Sequence, residues 1–222
     1  MPILFLILKI LSWIVLVILG LFIFLETVVR LVKHFIHMPS PAFVVARLNN
    51  PIRRKLLPPA RIIDCLAIRE GMKILEVGPG SGFFTFELAK YAGPSGHVYA
   101  VDIEPKMITL LEKRIKREKI ENITAKAASA YEIPLPKNSV DLVFMGGVLG
   151  EIPDKQKALS EMQRVLKKEE FLAVMECLID PDYPRRKTVT GWFEDSGCEL
   201  AGSYGSAFLY ALVFKPKNKV II

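Results

Sequence analysis

Cysteine and histidine are scarce in this chain, with three of each among 222 residues. Cys65, Cys177 and Cys198 are odd in number, lie far apart and form no CxxC or Cys/His cluster, which excludes a disulfide framework and a structural zinc site. They read as reduced, mostly buried thiols. His34 and His37 share a helical stripe with no third ligand beside them, so no metal is assigned. Internal repeats and low-complexity segments are missing, and 51% hydrophobic residues rule out a disordered or collagen-like chain. Acid is nearly absent from the first 60 residues. There Glu26 stands alone against Lys9, Arg30, Lys33, Arg47, Arg53, Arg54 and Lys55, so this part carries +6 of the overall +7.

The same part holds the longest apolar run, residues 3 to 25, with Lys9 as its one charge. As a helix it would be roughly 35 Å long, enough for a bilayer core of about 30 Å. A cleaved signal would need a basic start and a small-x-small exit, which are missing, so the run reads as a transmembrane anchor with Lys9 reaching the headgroups. A nucleic-acid binder would carry its basic excess on the folded domain. Here the excess flanks the C-terminal side of the span, and the positive-inside rule predicts a single-pass protein with its main domain in the cytoplasm. The sequon at Asn122 would be silent there. Residues 26 to 37 place Glu26, Arg30, Lys33, His34 and His37 on one helical face, a stripe able to lie along the membrane surface. Residues 38 to 60 carry Pro39, Pro41, Pro51, Pro58 and Pro59 and read as a structured linker or lid, with Phe43 as a lid candidate. The expected division is therefore an anchor over 1–25, a basic juxtamembrane linker over 26–60 and a folded domain over 61–222.

In that domain short β-rich runs alternate with amphipathic stretches. Strands are expected at 72–77, 97–101, 123–127, 140–145, 171–177, 198–204 and 207–214, and helices near 59–68, 83–92, 105–119, 155–167 and 184–196, with a turn or short helix near Tyr131. Strand–helix–strand succession predicts a parallel, doubly wound α/β sheet. Only Gly205 and Ser206 separate the last two strands, so one edge must run antiparallel.

The first strand ends in Glu76-Val77-Gly78-Pro79-Gly80-Ser81-Gly82 and runs into a helical pattern, which sets a glycine turn at the carboxyl edge of the sheet, where ligands bind. The dinucleotide fingerprint GxGxxG would need glycine at 83, where Phe83 stands; the spacing here is GxGxG. Glu76 would repel a pyrophosphate and favour ammonium and sulfonium charge, as in S-adenosylmethionine. Asp102 ends the second strand, placed to accept from ribose hydroxyls, and Ile103 either covers an adenine face or packs in the core. The spacing of Tyr183 and Lys187 matches that of short-chain dehydrogenases, but the accompanying GxxxGxG loop is missing.

Taken together in order, EVGPGSGFFT, VDIEPKM and ASAYEIPLPKNSVDLVFMGGVLGEIPD resemble class I S-adenosylmethionine-dependent methyltransferases, especially the group with ubiquinone/menaquinone C-methyltransferases and phospholipid N-methyltransferases. The resemblance covers about residues 61 to 214. It implies a Rossmann-like seven-stranded sheet of order 3-2-1-4-5-7-6 with the last strand antiparallel. It also implies that Glu76 and the loop Gly78, Pro79, Gly80, Ser81 and Gly82 border the methionine part and ribose, that Asp102 holds the ribose, and that Ala130 offers its N–H to adenine. Ser129 departs from the pattern, since many relatives have Asp there to accept from the adenine amino group. Lys168-Glu169-Glu170, where relatives often have Pro-Gly-Gly, is expected to alter only a distant turn.

Met145 and Gly146 would border the cofactor, and Gly147 the acceptor, after the fourth strand. Glu151 either meets the acceptor as base or cation ligand or serves as a helix-start acid beside Asp154, and Tyr131 either lines the acceptor side or packs under the adenine loop. The absence of DPPY or NPPY argues against a nucleic-acid acceptor. The leading expectation is methyl transfer to a lipid or other membrane-resident acceptor, a phospholipid amine or quinone-like ring. The alternatives are an anchored methyltransferase of a soluble small molecule, thiol or protein, and a non-catalytic module built on the cofactor fold.

Overall fold

The computed structural model describes residues 2–35, 54–55, 57–180 and 182–217. Phe43, His37 and the prolines from Pro39 to Pro51 lie outside the described residues. The chain divides into two compact units, Met1–Met38 and Pro39–Ile222.

The first unit holds one uninterrupted helix, α1 (Pro2–Phe35). The division expected after residue 25 is therefore not a break in the backbone. From Glu26 to Phe35 there is neither glycine nor proline, so nothing interrupts the i→i−4 ladder. Within α1, Phe5–Leu25 is long and apolar enough to cross a membrane.

The second unit begins before the boundary expected at residue 61. Leu57 and Pro59 are already buried, and the short helix α2 (Pro59–Ile63) puts Ile62 and Ile63 into the core before a 3-10 turn at Asp64–Leu66. Arg54, counted above with the lipid-facing charges, pairs with Glu87 at 3.6 Å and lies over the Phe83 ring. Its charge is used within the domain.

The sheet that follows alternates with helices as the pattern required. Its elements are β1 (Lys73–Val77), α3 (Thr85–Ala92), β2 (His97–Asp102), α4 (Pro105–Glu118), β3 (Ile123–Ala127), β4 (Val140–Gly146), α5 (Lys155–Val165), β5 (Leu166–Cys177), α6 (Arg186–Asp195), β6 (Cys198–Gly205) and β7 (Leu209–Pro216). Seven strands lie in the order β3-β2-β1-β4-β5-β7-β6. The pairs from β3 to β5 are parallel, and β7 runs antiparallel between β5 and β6. Helices cover both faces. Leu75, Val77, Val143 and Val174 pack toward α5 and α6, while Ile74, Leu142, Phe144 and Met175 pack toward α2 and α3. Burial on both faces explains why the central strands read as nearly continuous apolar runs.

Several expected boundaries shift, most clearly where α5 meets β5. β5 begins five residues early, at Leu166, and α5 ends at Val165. The Val165 carbonyl accepts from Ser139 N at 2.7 Å and Leu166 pairs with Val140, so the sheet captures the chain as soon as the helix ends. Lys168-Glu169-Glu170 is consequently not a turn but part of the strand, with Glu169 at φ +65° and a register shift facing Val140–Leu142. Around Tyr131 there is a turn and no helix, closed by Glu132 N donating to the Ser129 carbonyl at 3.1 Å. All three cysteines are free; Cys177 and Cys198 are buried and Cys65 half-buried.

Candidate active site

The parallel strands end their carbonyl edge in three loops, and the chemistry-bearing residues are gathered there. β1 delivers Glu76 and then turns at Gly78, Gly80 and Gly82, all with positive φ (+71°, +53° and +83°). A Cβ on Gly78 would stand 2.4 Å from Val148 Cγ2, so this glycine is required by the loop after β4 as well as by its own backbone. Left-handed backbone costs about 1–2 kcal/mol for other residues, and overpacking adds about 1–3 kcal/mol. Gly78→Ala is accordingly expected to lower the urea-unfolding free energy by about 2–5 kcal/mol.

Asp102 stands beside this turn at the end of β2. Its Oδ2 accepts from Gly80 N at 3.1 Å and its Oδ1 from Glu104 N at 2.9 Å. Each carboxylate oxygen keeps a lone pair, so the group is fixed in place and can still accept from a diol. Burial raises its pKa, the two N–H donors oppose that, and the charges of Glu151 and Glu104 add to the rise. Ile103, next in the chain, is 62% exposed, which removes the core-packing alternative and leaves an apolar surface beside the diol site.

Glu76 is 2% exposed, and its Oε2 has no hydrogen-bond partner. Burial pushes its pKa up to about 8, opposed by the neighbouring Thr85 hydroxyl and reinforced by Asp102. A buried carboxylate with an unmet oxygen at the floor of a glycine turn is suited to a cationic ligand.

Sequence reasoning missed two supports of this region. Arg114 of α4 donates to the Gly82 carbonyl at 2.8 Å and to the Ser81 carbonyl at 3.4 Å, and its guanidinium lies 3.9 Å from the centre of the Phe86 ring. Among the many basic residues of α4 nothing in the sequence singles it out. Glu176 is also 2% exposed, with Oε1 unpartnered. Its pKa is held well above the usual carboxylate range by burial, then by Asp180, Glu151 and Asp182, against the Leu149 N–H. A lone acid inside the apolar run Phe171–Cys177 was its one signal in the sequence.

The remaining expected residues separate into those the fold brings to this edge and those it does not. Gly146 ends β4 there and Gly147 follows it, with Phe84 packed so closely that a Cβ on Gly146 would lie 2.6 Å from its ring. Pro79 accepts from Gly82 N at 2.9 Å and closes the glycine turn. The Met145 side chain is fully buried in the core, so only its backbone can border a ligand. Ser129 accepts from Tyr131 N at 3.1 Å, and no described hydrogen bond uses the Ala130 N–H. The Tyr131 ring is partly buried against the core and its hydroxyl accepts from Asp154 N at 3.0 Å. Glu151 is half-buried in a 3-10 turn (Leu149–Glu151), and its charge acts on both Asp102 and Glu176. Tyr183 is tied by its hydroxyl to the Ala207 carbonyl, which accounts for it without a dehydrogenase role.

Against β5 lies a cavity of about 290 Å³, lined by Pro58, Arg61, Ile62, Met175, Tyr204 and Leu209 among others. Met175 pairs with Gly146 across β4–β5, and its carbonyl accepts from Gly147 N at 2.8 Å. The cavity thus borders the strand next to the glycines.

A sequence family described as a methyltransferase domain matches residues 68–202, more than half of the chain. The chain belongs to the class I S-adenosylmethionine-dependent methyltransferases. It is 37% identical over 128 residues to a ubiquinone/menaquinone biosynthesis C-methyltransferase (UbiE) of Pasteurella multocida, covering 54% of this chain and 46% of that protein. It is 31% identical over 155 residues to a demethylmenaquinone methyltransferase of Listeria welshimeri, covering 69% of this chain and 62% of that one. The chain spans about half the length of the curated relatives it matches. Among solved structures it resembles an S-adenosylmethionine-dependent methyltransferase of Aquifex aeolicus, with a TM-score of 0.75 and 25% identity over 79% of this chain and 98% of that one.

The residues of this methyltransferase fit the family's cofactor. The unmet Glu76 oxygen suits its cationic methionine end, the fixed Asp102 carboxylate its ribose, and exposed Ile103 its adenine.

Proposed function

We propose that this chain methylates a membrane-resident acceptor, a quinol ring or a phospholipid amine, with its domain on the cytoplasmic face. The observation that carries this reading is the cavity of about 290 Å³, whose wall joins Pro58, Ile62, Met175 and Leu209 to Arg61 and Tyr210 and reaches β5 at Met175, the strand partner of Gly146. A cavity of this lining accommodates an apolar molecule better than a charged metabolite. The apolar stretch Phe5–Leu25 supports the same acceptor class, because an anchor raises the local concentration of whatever shares the bilayer. The names of the relatives favour the quinol over the amine.

When bound, S-adenosylmethionine supplies a methyl group already activated on a sulfonium. The chain's own part is then to align the acceptor and exclude water. In this reading Glu76, the glycine turn, Asp102, Ile103, Ser129 and Ala130 hold the cofactor, while the backbone of Gly146 and Gly147 borders the acceptor. Ring methylation of a quinol requires loss of a phenolic proton, and an amine must likewise be neutral to attack. Glu151, half-buried near Asp102 at this edge, is the candidate base for that proton.

The test is incubation of the purified full chain with methyl-labelled S-adenosylmethionine and native membranes. Label is expected in the solvent-extracted lipid fraction; label confined to aqueous small molecules or to protein overturns the reading. Calorimetry with S-adenosylmethionine separates the enzyme from a non-catalytic module, which would give no heat of binding at millimolar ligand.

A further inference from the structure

Among the described residues outside α1, the large apolar side chains left exposed are not evenly spread. Ile103, Leu110 and Leu200 are scattered, whereas Leu178, Ile179, Tyr204 and Phe208 share one tip, where β5 ends and the β6–β7 hairpin turns. Ile179 and Phe208 are 64% and 68% exposed, close to the 69% of Trp13 in the apolar helix. The tip is tied together by its polar groups. Leu178 N donates to the Phe208 carbonyl at 2.8 Å, and Ser206 Oγ accepts from Phe208 N at 3.2 Å. Arg186 donates to Ser203 Oγ at 2.8 Å, to the Tyr204 carbonyl at 3.1 Å and to the Ser206 carbonyl at 2.9 Å. The backbone is thereby satisfied from within while the apolar side chains stay outside.

The charges around the tip are sorted by sign. Arg185 and Lys187 are exposed at the start of α6. Asp180 turns inward instead, its Oδ2 buried within 2.9 Å of where a Gly147 Cβ would stand, and Asp182 is half-buried with its backbone against Gly150. A rigid apolar wedge with cations beside it and acids withdrawn is complementary to anionic headgroups over hydrocarbon. Tyr204 and Leu209 of the same hairpin also line the cavity against Met175 of β5.

We propose that this tip is a second membrane contact, independent of α1, in which Ile179 and Phe208 enter an anionic leaflet and Arg185 and Lys187 meet its phosphates. The inference deepens the reading of a membrane-resident acceptor and rests on it: the contact turns the mouth of the cavity toward the bilayer, so that an acceptor leaves the lipid without crossing water.

The experiment uses the full chain carrying Phe208→Trp and Trp13→Phe, with Trp192 as internal reference, reconstituted in phosphatidylcholine vesicles containing phosphatidylglycerol. Unchanged S-adenosylmethionine affinity by calorimetry verifies the fold of the variant. With brominated acyl chains the emission of the introduced indole is expected to fall at least twofold, and less in vesicles of phosphatidylcholine alone. Adding Ile179→Ser, Arg185→Ser and Lys187→Ser should remove the quenching. Equal emission with and without brominated lipid overturns the proposal. So does an emission shift that appears in detergent and grows with protein concentration, which assigns the tip to a second copy of the chain. Absent quenching alongside intact lipid labelling sinks the tip contact alone, whereas quenching with no lipid labelling supports the contact and sinks the acceptor assignment.

Discussion

Asp102→Ala weakens binding of S-adenosylmethionine a hundredfold or more, read by calorimetry, while the sheet stays folded. The carboxylate has two tasks. It fixes the turn through Gly80 N and Glu104 N, and in the proposed reading the lone pair left on each oxygen accepts from the ribose hydroxyls. Hydrogen bonds to a charged group are worth about 1.5–3 kcal/mol each, so losing both ribose contacts corresponds to about a hundredfold to ten-thousandfold. Asp102→Asn retains one carbonyl oxygen and is expected to lose nearer tenfold. Affinity unchanged in Asp102→Ala would place the nucleoside elsewhere in the molecule.

If Glu76 holds the cofactor as proposed, cofactor affinity is expected to depend on pH. Burial holds its carboxyl near pKa 8 in the free protein, so at neutral pH it is mostly protonated, and a cationic ligand that requires the carboxylate must expel that proton. Affinity is then expected to rise about tenfold between pH 6 and pH 7, with nearly one proton released per ligand bound at pH 7. Calorimetry in buffers of different ionisation enthalpy counts that proton, and Glu76→Gln should abolish both the release and the slope. A pH-independent affinity in the native chain would contradict the cation-binding role.

The stability consequence runs the other way. A carboxyl whose folded pKa lies above its unfolded value near 4.5 contributes its full stability below pH 4.5 and loses it as the pH rises toward 8. Ligand-free Glu76→Gln is therefore expected to melt higher than the native chain above pH 8, although it binds the cofactor less well. A site of this kind trades stability for function.

Much of the edge that holds these two residues was legible in the chain itself. Glu76, Gly78, Gly80 and Gly82 are contiguous, and the turn they make is governed by local φ preferences, which spacing reports directly. Asp102 was legible because strand ends are marked by the switch from apolar alternation to Pro105 and the helix after it. Glu176 and Arg114 were not. Each acts across the fold, Glu176 on the Leu149 N–H and Arg114 on the Gly82 carbonyl 32 residues away, and no local pattern reports an interaction of that kind. Ile103 and Tyr131 were ambiguous for a related reason, since burial of a single residue beside a loop depends on what packs over it. The structure leaves Ile103 in solvent and sets Tyr131 partly buried against the core with a bond to Asp154 N. Ser129 remains a departure from the family pattern, its hydroxyl engaged with Tyr131 N and keeping a second lone pair.

By itself the sequence determined the succession of strands and helices, the antiparallel hairpin at the end and the GxGxG turn, because periodicity, glycine conformation and short loops are properties of neighbouring residues. Tertiary structure alone decided that β5 starts at Leu166, that the acids at 176 and 180 turn inward, and that a cavity opens against Met175 of β5. Those outcomes depend on which distant backbone or side chain arrives to satisfy a hydrogen bond or fill a volume, and that is settled only when the two cores close on the sheet.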